Sequence, residues 1–361
     1  MALRARALLQ GAARVGSGSA RRQKAYTSAK AFSPDSSEHA AFLREIVGVE
    51  PPRALGPLVR MLEARGMQLS SPNSAKRLRV HPLLVPLATS EEGEVTTGLV
   101  VPAHAGYGLH VANARAEHHG ALELQALSAE QLAAGMLAQE DAETEGKGGE
   151  LVRACGHEDA SALHALGSVD AGNIKAHLVR QIGGLPKVVE TLARDHFNAG
   201  NDTSALVTAD WYKRGDHFPG WAQPLRFTSL LMADIGKQEE ARDTSRAALA
   251  CAAWWTLGSS FEHAATDAQM VQGGKKMSAR DIKDLLSGAA FTAEGMPQGM
   301  VQAARGQEDP VEKAHNSATF AFDKAVAGES TFDEAARNAA ESLRSAGAMR
   351  AASLLAHHAQ S

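Results

Sequence analysis

The chain of 361 residues is 44% hydrophobic and 22% charged, with only 5% aromatic residues, so its core must rest on Leu, Val, Met and abundant Ala, as suits closely packed helices. No uninterrupted apolar run reaches the roughly 18 residues of a membrane span, and Cys155 and Cys251 form neither a CxxC motif nor a disulfide framework. Residues 1–34 hold seven basic residues and no acid; the remainder carries 30 basic against 41 acidic residues, a net charge of −11 that argues against a nucleic-acid partner.

The first 34 residues are rich in Arg, Ser and Ala, which is the composition of an organellar transit peptide. The stretch RRQKAYTS, with Arg22 just before Tyr26, resembles a mitochondrial processing site, and algal plastid transit peptides have much the same make-up. A mitochondrial destination is therefore expected, with the chloroplast stroma as the alternative. From Asp35, with Glu38 three residues on, the spacing of Phe42, Leu43, Ile46 and Val47 predicts a helix ending at Val47. A second helix is expected from near Pro57 to Gly66.

Between Leu78 and Val111 the period changes. LRVHPLLVPLA and VTTGLVVP flank SEEGE and predict a hairpin, confined by Pro82, Pro86 and Pro102 to edge or short strands. It is expected to be the only strand-like part of the chain. Ser128 to Gln131 matches a capping box and opens a helix through Leu132, Met136 and Leu137. The acidic, glycine-bearing EDAETEGKGGE marks a boundary near 140–150. Beyond it, helices are expected over Ala171–Ile182, from Pro186 to the region of Phe197, over Ser204–Arg214, and twice within Phe218–Gly258. Further ones are expected over Asp333–Ala346 and Met349–His358. The predicted organisation is a transit peptide over 1–34, a small α+β domain over 35–145 and an α-helical, repeat-like domain over 150–361. The fold class is mainly α.

Phe218–Gly258 carries Gly236 at a turn, Glu240 and Ala241 early in the second helix, and Ala248-Leu249 one to two turns further on. Ala241 and Ala248 are seven apart and share a helix face, where small side chains let two helices approach. This pattern resembles a tetratricopeptide repeat, although the family's aromatic, small residue, tyrosine and closing proline fall on Leu225, Ser229, Met232 and Ala253. The Gly-to-Ala spacing returns at Gly200 and Ala205, Gly274 and Ala279, and Gly347 and Ala352. The ending WWTLG resembles organelle-targeted proteins of plants and algae. The resemblance implies stacked helical hairpins and a protein-binding surface.

The fifteen histidines are the first candidates for chemistry. His104, His110, His118 and His119 form one group, and Cys155, His157, Glu158, Asp159 and His164 another; neither has zinc spacing, and there is no HExxH. Gly273-Gly274-Lys275-Lys276 lacks the P-loop pattern, and no GxSxG elbow is present. No catalytic, cofactor or metal residue is assigned. Candidate partner-binding residues are the aromatics Trp211, Trp221, Trp254 and Trp255, with Arg242 and Arg246 four apart on one helix. The expected function is a non-enzymatic scaffold, an accessory subunit or assembly factor of an organellar membrane complex of respiratory, ATP-synthase or photosynthetic type. Its partners would be protein subunits, with no cofactor, no nucleic acid and no transmembrane segment, and a peripheral position at a membrane is compatible. The alternative is a metal-dependent enzyme using the His-rich 104–164 region.

Overall fold

The computed structural model describes residues 38–102, 108–169, 171–272, 275–286 and 310–360. The transit-peptide segment, Asp35, His104 and Gly274 lie outside them. The chain is mainly α-helical, with a small antiparallel sheet of five strands in its N-terminal region. Helix α1 (Glu38–Phe42) continues as a π-helical turn to Val47 and stops at Gly48, and α2 is Leu55–Ala64. The strands are β1 (Gln68–Leu69), β2 (Leu84–Thr89), β3 (Val95–Val100), β4 (His110–Arg115) and β5 (Leu122–Ala126), each paired with its neighbour in sequence.

The expected hairpin around SEEGE is β2–β3, but β4 and β5 extend the sheet beyond it. Pro86 sits inside β2, where the register shifts between Pro86 and Ala88. Because β1 pairs only with Ala88 and Thr89, the missing N–H of Pro86 costs no bond to β1, and its carbonyl accepts from His39 Nε2 of α1 at 2.9 Å.

The sheet is apolar on both faces. Val85, Leu87, Leu99 and Val111 pack into a core with α1, α2 and the helices that follow the sheet; Leu84, Val100, Ala112, Leu122 and Leu124 pack on the opposite side. Helices α3 (Ala129–Glu143), α4 (Glu150–Cys155) and α5 (His157–Leu163) build on the first face. Ser128 caps α3 by accepting from Gln131 N, while the Gln131 side chain reaches back to Leu127 N. Packing runs across 145–150, because the Glu140 carboxylate of α3 accepts from Leu151 N (2.7 Å) and Val152 N (3.0 Å) at the start of α4.

The middle of the chain forms two helical hairpins: α6 (Pro186–Asn198) with α7 (Asp202–Tyr212), and α8 (Gln223–Asp234) with α9 (Gln238–Cys251). They turn at Gly200 and Gly236, whose φ values of 73° and 90° lie in the left-handed region. Val189, Tyr212, Phe218 and Trp221 from this part cover the second face of the sheet. The register ends there. After α10 (Phe261–Asp267) the chain makes a two-residue ladder, β6 (Val271–Gln272) with β7 (Lys275–Lys276), where helices were expected on both sides of Gly274. A continuing tetratricopeptide array is thus not shown. Helix α11 (Ala279–Leu286) is held by Lys283, whose ammonium lies 2.9 Å from the buried Asp323 carboxylate of α12 (Pro310–Val326).

The C-terminal hairpin, α13 (Phe332–Ser345) and α14 (Met349–Gln360), turns at Gly347 and returns to the first face of the sheet. Thr331 and Glu334 form a full capping box at its entry. His357 donates to Asn73 Oδ1 at 2.7 Å and packs edge-on against Phe42 at 5.4 Å. Phe332 presses on Gly120, where a Cβ would stand 2.1 Å from its ring. Gly120 also has φ 90°, as does Gly236, around which a Cβ would meet nothing within 4 Å. Gly236→Ala is expected to cost only the left-handed penalty, about 1–2 kcal/mol. Gly120→Ala should cost that and about 1–3 kcal/mol more for overpacking. Urea unfolding of the two variants checks the difference; equal losses would show that Phe332 is not wedged against this turn.

Candidate functional site

The partner-binding candidates divide by burial. Trp254 is wholly buried, stacked on Phe261 at 4.3 Å, with its Nε1 donating to Leu249 O and its backbone N to Asp323. Trp221 is also buried and donates from Nε1 to His110 Nδ1 at 2.9 Å, joining the middle helices to β4. Neither ring offers a surface in this conformation, because the turn Trp254–Thr256 and the segment before α8 are folded inward over the sheet. Trp255 is half-buried and touches three separate core clusters, with His81 at 4.9 Å and Trp221 at 5.8 Å between ring centres. Trp211 is half-buried and stacked on His217 at 4.0 Å.

The two arginines of α9 point to the protein's own groups. Arg242 bonds Asp243 at 3.2 Å, and Arg246 donates to Ala268 O at 3.0 Å while lying 4.0 Å from Asp243. Their side chains remain about a third exposed, at 31% and 38%.

Sequence reading missed a buried polar cluster beneath these aromatics. Glu190 of α6 accepts from Tyr212 OH (2.8 Å) and from Gln223 Nε2 (2.9 Å), and Gln223 Oε1 in turn accepts from Leu124 N of the edge strand (2.7 Å). Burial pushes the Glu190 carboxyl above the usual range against the opposing effect of these donors. The cluster fastens both helical hairpins to β5. Its signal in the sequence is the position of Glu190, four residues after Pro186 and three before Ala193, on a stripe that packs inward.

A second buried group lies where the N- and C-terminal parts meet. His81 packs among Trp255, Phe322 and Phe332, its Nδ1 accepting from Leu83 N at 3.2 Å and its Nε2 without a hydrogen-bond partner. Burial, helped by nearby His358, lowers its pKa to about 3. His110 falls to about 4 through burial. Of the His-rich region, His164 is buried against Asp141 at 2.9 Å, and Asp141 also accepts from Gly167 N. Burial raises the Cys155 thiol to about 11, which suits an inert core thiol. Among the described residues, no three His, Cys, Asp or Glu side chains converge as a metal site.

The middle hairpins and the sheet correspond to recognisable regions of other proteins. Residues 37–180 match the family model described as PAB N-terminal, and residues 186–274 match that described as PAB middle domain. The chain is also 31% identical over 237 residues to "Protein IN CHLOROPLAST ATPASE BIOGENESIS, chloroplastic" of Arabidopsis thaliana, an alignment covering 65% of this chain and 69% of that protein. The chain belongs to the PAB family. No solved structure matches it. The two PAB regions adjoin at 180–186, where α6 begins. The Glu190–Gln223–Leu124 chain of hydrogen bonds crosses that junction.

Tyr212→Phe removes one of the two side-chain donors to the half-buried Glu190 carboxyl and is expected to cost about 1–2 kcal/mol in urea unfolding. Unchanged stability would mean that water replaces the hydroxyl. For His81 the folded pKa lies below the unfolded 6.5, so as pH falls the unfolded chain takes up the proton first. Stability is then complete above about 6.5 and lost from there down towards 3, at up to about 1.4 kcal/mol per pH unit. His81→Phe should therefore be less stable than the parent at pH 8, where Leu83 N loses its acceptor, yet fall less steeply between pH 6 and 4. Parallel pH curves for the two proteins would overturn this assignment.

Proposed function

We propose that this chain is an assembly factor for the chloroplast ATPase, binding protein subunits of the complex during its biogenesis. The observation that carries the reading is the relative named for chloroplast ATPase biogenesis, aligned over most of both chains. It favours the chloroplast over the mitochondrion as the compartment, and a binding role over catalysis. The acidic body, at −11 beyond residue 34, gives long-range attraction to basic partner surfaces. The described residues contain no helix long and apolar enough to cross a membrane.

Within this reading the contact set narrows to Trp211, Trp255, Arg242 and Arg246, the candidates that keep partial exposure. Trp221 and Trp254 contribute by holding the surface in shape. Val207 of α7 is 65% exposed and Leu230 of α8 is 37% exposed, and these apolar side chains on the two hairpins join the set.

The test is affinity capture of the tagged chain from isolated chloroplasts, with native separation of the ATPase from cells that lack the protein. ATPase subunits should co-purify, and the assembled complex should fall at least several-fold. Exchange of Trp211 and Arg242 for Ala should weaken capture without lowering the melting temperature by more than a few degrees. A fully assembled ATPase at normal abundance in the deficient cells would overturn the reading.

A further inference from the structure

A cleft of about 600 Å³ opens between the tip of the β2–β3 hairpin and the turn that joins α12 to α13. It is large enough for several residues of an extended peptide, within the roughly 300–1,000 Å³ span of ligand sites. Its walls come from segments remote in sequence: Val80, Ala114, Ala116, Val326 and Phe332 supply apolar surface. The rim is costly to build. Arg79 and His119 line it in the left-handed conformation, at φ 54° and 48°, which is rare for residues other than glycine. Gly120, under the Phe332 ring, completes the same wall.

The charges at the mouth select the occupant. Glu94 lines it, and the hairpin turn adds Glu91 and Glu92, all three exposed. Glu117 is also exposed and stands next to Ala116, whose N–H donates to Glu94 O at 3.2 Å and so brings that turn against the hairpin tip. Against these, Arg115 is already neutralised by Glu123 at 3.0 Å, which leaves Arg79 as the arginine of the lining with no ion pair among the described residues. The lip is acidic in excess, as is the body of the chain.

We infer that this cleft receives an extended protein segment that alternates apolar with basic side chains. The apolar groups seat against Ala116 and Phe332, over a floor that includes the buried Val80 and Ala114, and the basic groups face Glu91, Glu92 and Glu94. The inference rests on the assembly-factor reading for the source of the segment, an incompletely folded protein subunit, but the binding itself stands on the cleft.

Two fluorescein-labelled decapeptides, one alternating Leu with Lys and one alternating Leu with Glu, are titrated with the full chain and followed by anisotropy. The Lys peptide is expected to bind at least tenfold more tightly than the Glu peptide. Ala116→Trp, at an exposed position of the cleft wall, should weaken its binding at least tenfold with the melting temperature unchanged, and the double variant Glu92→Lys, Glu94→Lys should reverse the preference. Equal binding of both peptides, preference for the Glu peptide, or full binding by Ala116→Trp would overturn the inference. If the peptides fail while ATPase subunits are still captured from chloroplasts, the cleft falls and the assembly reading stands; if capture fails while the Lys peptide binds as described, the reverse holds.

Discussion

A short sheet with two apolar faces cannot be stable in water, and that constraint organises this molecule. Five strands expose Val, Leu and Ala on either side, and each face needs a helical cover that the strands cannot provide for one another. The first face is closed jointly by the helices beside it in sequence and by the C-terminal hairpin. The second is closed by the segments around the two middle hairpins. The helices of a protein that is mainly α are thus arranged by its small β element. Small side chains make the arrangement close: Ala335, Ala336, Ala339 and Ala340 of α13 are all buried.

Polar groups at the joints hold these layers in one register. Gln223 presents one end of its amide to Leu124 N and the other to Glu190, so that a strand edge and two hairpins share one set of bonds. Asp323 does similar work between α11, α12 and the turn at Trp254. A buried carboxylate is weak evidence of added stability, since its desolvation opposes its bonds, but it allows few alternative packings. The same logic applies to His81, a polar ring set among three aromatic ones and satisfied on only one side.

The helical hairpins were legible because glycine at a left-handed turn between two periodic segments is a local signal, as Gly200, Gly236 and Gly347 show. The π-helical ends at Val47 and Ile182 and the two-residue ladder at 271–276 were not, since short-range pattern does not distinguish them from ordinary helix ends and turns. Strand β4, HVANAR, has mostly small and polar side chains, and β5 offers only two leucines, so neither stands out as a bounded apolar run. For the site, sequence identified the large aromatics but not their direction. Trp254 and Trp255 are neighbours in one tight turn, yet one is sealed in the core and the other lies at the junction of three clusters. Glu190 escaped notice because a carboxylate on a helix ordinarily faces solvent; only the tertiary contact with Tyr212 and Gln223 makes it internal.

The bond from His357 to Asn73 spans 284 positions of the chain. A polypeptide that emerges N-terminus first, from a ribosome or through a membrane, has its strands complete long before the last hairpin that covers them. During that interval the first face of the sheet has only its N-terminal helices as cover, and the C-terminal hairpin is still to come. Contacts of such large sequence separation are made late, because loop-closure entropy must be met before they form. The two ends of the chain thus become one structure only when its final helices are present.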